Sequence, residues 1–244
     1  MRLLLTAPRC GKGDLDGNLQ RHRKLHAAGR EAGCDLVLLP EMSLTGYDAG
    51  AALTLTDEIV TALVADSRDG PRLSFGLCEA AAAGETDGRP QITQVLAGEG
   101  VVHAVHRKYA LPPDERPEFR AGVGFETVPV EGTTTVTAIC AEVGSEEPYS
   151  LGADVVLAPS APGLYGPRRV SDQDWQSGFD WWRGSVRADA ERLLHPGGWL
   201  ALSTQAGATV DEDFPGWAAL IGPGGVIHDE LPDWREGVLV VETP

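Results

Sequence analysis

The sequence predicts an α/β protein in which β-sheets are covered by helices, forming one layered domain over residues 1–244. Three observations lead to this prediction. Strand-like and helix-like segments alternate along the chain. Short turn signals, such as the GPGG tract at Gly222 to Gly225, separate the later strands. No internal repeat, low-complexity tract or long linker divides the sequence.

The first half of the chain predicts five strands and two helices. A helix is expected at Asp14–Ala32, because Leu15 and Leu19 recur at helical spacing and Gly33 can end the run. The DLVLLP segment at Asp35–Pro40 is a strand whose apolar run suits burial on both faces. The remaining elements are a helix at Asp57–Ser67 and strands at Arg2–Ala7, Leu73–Glu79, Ile92–Leu96 and Val101–Val105.

The second half predicts seven strands and one helix. Thr133–Ile139 and Val155–Pro159 are rich in β-branched and small residues, as expected of buried strands. A tryptophan-rich segment at Ser171–Arg183 precedes a helix predicted at Ser185–Leu194. The other strands are expected at Phe125–Val130, Trp199–Thr204, Trp217–Ile221, Gly225–His228 and Gly237–Glu242.

Charge and hydropathy restrict the partners of the chain. The formal net charge of −16 repels nucleic acid and anionic lipid, so neither is an expected partner. No apolar window approaches the ~20 residues of a membrane span. The short apolar run at the N-terminus soon reaches charged residues and glycines, so we interpret it as a strand and not as a signal peptide.

Metal-binding and disulfide patterns are not apparent in the sequence. His22 and His26 have the i, i+4 spacing of a metal pair, but no third ligand is indicated and a mixed helix face explains them. The cysteines are far apart and form no CxxC pair, which argues against a zinc knuckle or a disulfide framework and fits a reducing cytosol. They are Cys10, Cys34, Cys78 and Cys140.

Cys140 stands at the end of the predicted strand Thr133–Ile139. The carboxyl end of a buried strand is where α/β folds usually place their chemistry. Most buried cysteines, however, are only small apolar fillers of a core. Position alone therefore does not identify a nucleophile.

Two further polar residues also follow predicted strands. Glu41 ends the LLPE run, and Lys108 follows a strand and precedes a proline-rich loop. Taken singly, each is explained as a solvated loop residue. Together with Cys140 they supply a nucleophile, a proton acceptor and a cation for an oxyanion, which are the three functions that acyl transfer from an amide requires.

These stretches resemble the three motifs of the nitrilase superfamily, the carbon–nitrogen hydrolases. The stretches are LLPEMSLTGYD, HRKYALPPDERPEFRAG and TAICAEVGSEEPYSLGADVVLAPSA, in that order along the chain. The resemblance covers nearly the whole sequence. It implies that Glu41 is the general base, that Lys108 is catalytic and that Cys140 is the nucleophile.

The resemblance implies several further properties. Glu115, four residues before Phe119, would help to position the lysine and the substrate, and the Ala141 N–H would join Lys108 in the oxyanion hole. The implied fold is a four-layer α-β-β-α sandwich. No cofactor is implied, and subunits would pair through helices on one outer face to give a homodimer.

The sequence departs from the family pattern near two of the motifs. Ala110 stands where many family amidases have histidine, and Gly144 stands where many have an arginine that could hold a substrate carboxylate. Glu142 keeps the acid that the family has two residues after the cysteine. Glu142, Glu146 and Glu147 are expected to favour a cationic or amine-bearing substrate. The alternative is that two of these acids are only solvated charges near the start of a helix. Tyr47, and either Tyr165 or Trp175, are expected to line the pocket, with ordinary core packing as the alternative for each.

We therefore expect a cytoplasmic, cofactor-independent cysteine hydrolase of a small-molecule amide, acting through a thioester and without a metal. Two alternatives remain open. An amine could replace water on the same thioester, which would make the protein an acyltransferase. The chain could also be a catalytically silent binding protein on the same scaffold.

Overall fold

The computed structural model describes residues 1–163, 172–210, 212–231 and 235–244. The elements of the first half are β1 (Arg2–Ala7), α1 (Leu15–Glu31), β2 (Leu36–Leu38), α2 (Glu58–Asp66), β3 (Arg72–Glu79), β4 (Gln91–Gly98) and β5 (Val101–Arg107). Those of the second half are β6 (Thr127–Val130), β7 (Thr133–Thr137), α3 (Glu147–Ser150), β8 (Val155–Ser160), α4 (Asp172–Leu193), β9 (Trp199–Thr204), β10 (Ala206–Ala208), β11 (Asp213–Pro215), β12 (Ala218–Gly222), β13 (Val226–Glu230) and β14 (Gly237–Glu242).

The long strands form two mixed six-stranded sheets. The first has the order β14-β1-β2-β3-β4-β5, and its central strands β1, β2 and β3 are parallel. The second has the order β13-β12-β9-β8-β7-β6, with β7, β8 and β9 parallel. The parallel strands at the centre of each sheet direct their carboxyl ends to one edge, where polar loop residues can meet.

Side chains alternate between an inner and an outer core along the central strands. Leu3 and Leu5 of β1 belong to the core between the sheets, whereas Leu4 packs with residues of α1 and α2. In β8, Val155 joins the inner core and Val156 joins the core beneath α4. Both faces of each sheet are therefore covered, as the apolar runs in the sequence required. This arrangement confirms the predicted α-β-β-α layers.

The tryptophan-rich segment and the helix predicted after it form the single helix α4. The predicted start at Ser185 was thus wrong. Phe179, Val186 and Ala190 recur at helical spacing and pack together against the second sheet. Gly184 costs about 1 kcal/mol in helix propensity, a cost that this packing outweighs. Neither α4 nor any other helix in the described ranges is long and apolar enough to cross a membrane.

Other differences from the expected elements are small. β6 begins at Thr127 and not at Phe125, and β7 ends at Thr137 and not at Ile139. The two-stranded sheet of β10 and β11 was not predicted. Its strands have three residues each, which is too short for an alternating pattern to be recognised.

Hydrogen bonds join the two sheets where β2 ends. The Ser203 hydroxyl of β9 accepts from the Thr6 N–H of β1 at 3.0 Å and donates to the Leu38 carbonyl of β2 at 3.0 Å. All three residues are fully buried, so these bonds lie in a medium that strengthens them. The end of β2 is thus held to the second sheet.

The loop after β2 crosses β3 at Gly76. The Ser43 hydroxyl accepts from the Gly76 N–H at 3.1 Å, and the Leu44 N–H donates to the Gly76 carbonyl at 2.8 Å. A Cβ on Gly76 would lie 2.3 Å from the Met42 nitrogen and 2.7 Å from the Pro40 oxygen. Only glycine permits this approach, because both neighbours are backbone atoms.

We predict that Gly76→Ala lowers the unfolding free energy by about 1–3 kcal/mol, because the methyl group must push the loop away from β3. The melting temperature should fall by roughly 3–10 °C for a chain of this size. Gly88→Ala is the matched control, since a Cβ there meets nothing within 4 Å. Equal melting temperatures for the two variants would contradict the packing described for Gly76.

Candidate active site

Three side chains meet where strands of the two sheets end. Glu41 follows β2, Lys108 directly follows β5, and Cys140 follows β7. Glu41 and Lys108 come from the first sheet and Cys140 comes from the second. The structure therefore brings together the residues that the sequence singled out at strand ends.

Lys108 lies between two carboxylates. Its Nζ donates to Glu41 Oε1 at 2.8 Å and to Glu115 Oε1 at 2.6 Å. Lys108 has no solvent exposure, and Glu41 and Glu115 are 1% and 8% exposed. Tyr47 Oη also donates to Glu115 Oε1, at 2.7 Å. Because ions this deeply buried are costly when unpaired, each of these contacts stabilises the others.

Glu41 is also bound by the second sheet. Its Oε2 accepts from the Ala161 N–H at 2.9 Å, just beyond β8. Its backbone carbonyl accepts from Gln205 Nε2 at 2.9 Å. The carboxylate thus has a fixed direction, and the hydrogen bonds that fix it come from the sheet that carries Cys140.

Cys140 is the first residue of a five-residue 3₁₀-helix. Its own backbone is in the left-handed region, with φ at +50°. Met42, next to Glu41, is another non-glycine residue with positive φ, at +49°. Such a backbone costs on the order of 1–2 kcal/mol for an ordinary residue and is enriched at functional sites. The cysteine is half-buried, whereas Cys10, Cys34 and Cys78 are buried.

A cavity of about 760 Å³, as bounded by the described residues, opens over Cys140. Glu115, Tyr47, Phe119 and Trp181 also line it, and Trp181 is 69% exposed. Acidic side chains outnumber basic ones among the described residues of its wall. The acidic ones are Asp48, Asp114, Glu115, Glu118 and Glu212, and Glu212 is paired with Lys12 at 2.6 Å.

The buried charges shift the pKa values of the groups that would react. Burial raises the pKa of Glu41 to about 7; Lys108 opposes this shift and Glu115 adds to it. Burial raises the pKa of the Cys140 thiol to about 12, and the Glu41 charge adds to this while Lys108 opposes it. Burial disfavours the Lys108 ammonium, but the surrounding anions outweigh burial and hold its pKa above the usual value. Above pH 7 the group is therefore a thiol beside the ionised carboxylate of Glu41 and the ammonium of Lys108.

The residues predicted to bind substrate lie in different places. Tyr47 lines the cavity and contacts Glu115. Ala141 is exposed, and its N–H is in the first turn of the 3₁₀-helix, where such groups have no partner within the helix. Tyr165 lies outside the described residues.

The prediction that Glu142 binds substrate requires correction. Its side chain has no solvent exposure and does not border the cavity. Its carboxylate instead accepts hydrogen bonds from the Ile139, Tyr109 and Ala110 N–H groups and from His106. A carboxylate oxygen that is already engaged in this way is not available to a substrate ammonium group.

Two contributors to the site were not predicted from the sequence. Ala161 supplies the N–H that orients Glu41, and Gln205 holds the Glu41 carbonyl. The position of Ala161 could have been inferred, because it follows a predicted strand just as Cys140 does. Gln205 also directly follows a predicted strand, Trp199–Thr204, but the direction of its amide side chain depends on the packing of both sheets and could not be predicted.

Metal binding finds no support in the described ranges. Within residues 1–163, 172–210, 212–231 and 235–244, no group of three or more histidine, cysteine, aspartate or glutamate side chains is placed to hold a metal ion.

The chain is similar to carbon–nitrogen hydrolases in both sequence and structure. The model of the carbon–nitrogen hydrolase family matches residues 5–244. The amidase from Nesterenkonia sp. is 26% identical, with a TM-score of 0.82 over 100% of this chain and 90% of that one. A cysteine-to-alanine variant of that amidase in complex with butyramide is 25% identical, with a TM-score of 0.81 over 99% of this chain and 90% of that one.

A curated relative is much longer than this chain. The glutamine-dependent NAD(+) synthetase of Rhodobacter capsulatus is 27% identical over 94% of this chain. The match spans only 41% of the length of that synthetase.

We predict that Lys108→Met lowers the unfolding free energy by about 3–5 kcal/mol at pH 8, because it leaves two buried carboxylates without their cation. The loss should be smaller at pH 5. Without the lysine, the pKa of Glu41 in the folded state rises further above its value in the unfolded chain. The unfolding free energy of the variant is therefore higher at low pH, where Glu41 is protonated, and falls as the pH rises. Denaturant unfolding at both pH values measures the effect.

Lys24→Met is the control for this prediction, since Lys24 is exposed on α1. It should change stability by less than about 0.5 kcal/mol at either pH. A Lys108→Met variant that behaved like this control would contradict the role assigned to the buried ammonium.

Proposed function

We propose that this chain, which belongs to the carbon–nitrogen hydrolase family of the nitrilase superfamily, is an amidase that hydrolyses a small amide through a thioester on Cys140. The observation that carries the proposal is that Cys140 borders the cavity, while the buried Glu41–Lys108 ion pair lies close enough to act on the pKa of its thiol. Acyl transfer requires a nucleophile, a proton carrier and oxyanion stabilisation.

The first half of the reaction forms the thioester. The Cys140 thiol is protonated at neutral pH because its pKa is raised, so attack on the amide carbonyl requires a base. Glu41 takes that proton, since its pKa near 7 makes it a stronger base than an ordinary carboxylate. The Lys108 ammonium and the Ala141 N–H stabilise the oxyanion. Glu41 then returns the proton to the leaving nitrogen, and ammonia or an amine departs.

The second half releases the acid. Water enters the position of the leaving amine and gives a proton to Glu41 as its oxygen attacks the thioester carbonyl. The same donors hold the second oxyanion. The tetrahedral intermediate collapses, the carboxylic acid leaves, and the proton on Glu41 returns to the Cys140 sulfur. Lys108 remains charged throughout, because the two adjacent carboxylates hold its pKa high.

The wall of the cavity supports neutral or amine-bearing amides over amides that carry a carboxylate. Its acidic side chains repel an anion. Position 144 is glycine, so no arginine is present there to pair with a substrate carboxylate and offset this repulsion. Acyl transfer to an amine uses the same thioester, and adding hydroxylamine to the assay separates the two outcomes, because transfer yields a hydroxamate.

Glutamine is the second candidate substrate, favoured by the match to a glutamine-dependent enzyme over 94% of this chain. Glutamine and butyramide should therefore be compared side by side. Faster ammonia release from glutamine would favour the role of an ammonia-producing unit over that of an amidase for simple aliphatic amides.

We predict that Cys140→Ala abolishes ammonia release and that Cys34→Ala retains it. Intact mass spectrometry of quenched reactions should show an added acyl group on the wild-type protein and on Cys34→Ala, but not on Cys140→Ala. Cys34 is the matched control, because it is a buried thiol in the core beneath α1 and α2. An unchanged rate in Cys140→Ala would refute the thioester mechanism, and the absence of both turnover and adduct in wild type would favour the binding-protein alternative.

The pH dependence of the reaction should report on Glu41. We predict that kcat/KM falls about tenfold per pH unit below pH 7 and is level above it, because only the ionised carboxylate can take the thiol proton. Initial rates of ammonia release between pH 5 and 9 test this expectation. A rate that stays level down to pH 5 would mean that the essential base has an ordinary carboxylate pKa and is not Glu41 in the environment described here.

A further inference from the structure

Glu142 is a fully buried acid beside the site that the mechanism above does not use. Its Oε2 accepts from the Ile139 N–H at 2.7 Å and from His106 Nε2 at 2.8 Å. Its Oε1 accepts from the Tyr109 N–H at 2.6 Å and from the Ala110 N–H at 3.2 Å. A single carboxylate therefore receives four hydrogen bonds, the number that its lone pairs can accept.

These bonds hold the backbone on both sides of the reacting groups. Ile139 is the residue immediately before Cys140, and Tyr109 is the residue immediately after Lys108. One oxygen of Glu142 thus holds the chain that presents the nucleophile, and the other holds the chain that presents the ammonium. These two segments extend from different sheets, so the carboxylate bridges the sheets at the site.

His106 fixes the direction of the bridge. Its ring stacks on Phe125 with centroids 5.1 Å apart and planes 23° apart. Because a carboxylate only accepts, His106 must carry its proton on Nε2. The ring lies at the end of β5, two residues before Lys108, and so adds a third attachment to the same segment.

We propose that Glu142 is a positioning residue that sets the placement of the Lys108 ammonium relative to the Cys140 thiol. The predicted effect of Glu142 on turnover rests on the proposed function. The predicted effect of Glu142 on the reactivity of the Cys140 thiol does not. Misplacement of reacting groups by about 1 Å can cost on the order of 100-fold in rate. Loss of the bridge should therefore lower kcat and leave KM nearly unchanged, since Glu142 does not border the cavity.

The experiment compares Glu142→Gln with wild type. Glutamine keeps the shape but has one acceptor oxygen, and it turns an NH₂ group toward backbone N–H donors. We expect kcat for amide hydrolysis to fall roughly 100-fold with KM within about twofold of wild type. We also expect alkylation of Cys140 by iodoacetamide, followed by intact mass, to slow at least about tenfold. The other three cysteines are buried, which favours labelling of this one.

Glu79→Gln is the matched control. The Glu79 carboxylate accepts two bonds from Arg107 at 2.7 Å and one from Thr93 at 2.8 Å. It is therefore a partly buried acid of the first sheet with several donors, but it is not bonded to the segment before Cys140. It should change both rates by less than about threefold. If Glu142→Gln does not fold, His106→Leu removes one of the four donors and should lower kcat about tenfold at constant KM.

The outcomes discriminate between the roles of Glu142. A lower kcat and slower alkylation in Glu142→Gln, but not in Glu79→Gln, support the positioning role. An unchanged kcat, or a raised KM at unchanged kcat, overturns it, and the second result would restore the substrate-binding role predicted from the sequence. If the wild type turns over no amide, the proposed function fails, and the alkylation rates alone decide the role of Glu142.

Discussion

The buried ammonium of Lys108 is the interaction on which the rest of the site depends. It lies within 2.8 Å of two carboxylates in a region with almost no solvent. Without it both carboxylates would be buried with no cation beside them, and an isolated buried charge is more costly than most single interactions can offset. Two acids share one cation, so the pair keeps an excess negative charge that contributes to the raised pKa of Glu41. Burial and the Glu115 charge therefore raise the pKa of Glu41 to about 7, although the contact with Lys108 opposes the shift, and this makes Glu41 a base suited to neutral pH.

The site also depends on the contact between the two sheets. The base and the ammonium come from the first sheet, and the thiol comes from the second. Hydrogen bonds cross between the sheets from Ser203, Gln205 and Ala161. Each of these donors belongs to the second sheet or to the segment just beyond one of its strands, and each acceptor belongs to the end of β2 or to the residues just after it. The geometry of the reacting groups is thus a property of the layered packing and not of any one loop.

Much of this organisation could be predicted from the sequence, because strand ends are visible there. Buried apolar runs located the strands, and the polar residues that follow them included Glu41, Lys108 and Cys140. The start of α4 could not be placed, since tertiary packing outweighs the weak helix propensity of its glycines and aromatic residues. The prediction that Glu142 binds substrate was wrong for a different reason. An acid two residues after the cysteine looks the same in sequence whether a turn directs it into the cavity or, as the 3₁₀-helix does, into the protein interior.

The left-handed backbone of Cys140 has a consequence for how such a protein could evolve. Glycine adopts that conformation without the steric penalty that a cysteine side chain incurs. A population selected only for resistance to heat would therefore tend to replace the cysteine and become stable but inert. Retaining the thiol at this position requires selection for reactivity. In a laboratory evolution experiment, position 140 should be among the first to reveal which of the two pressures is acting.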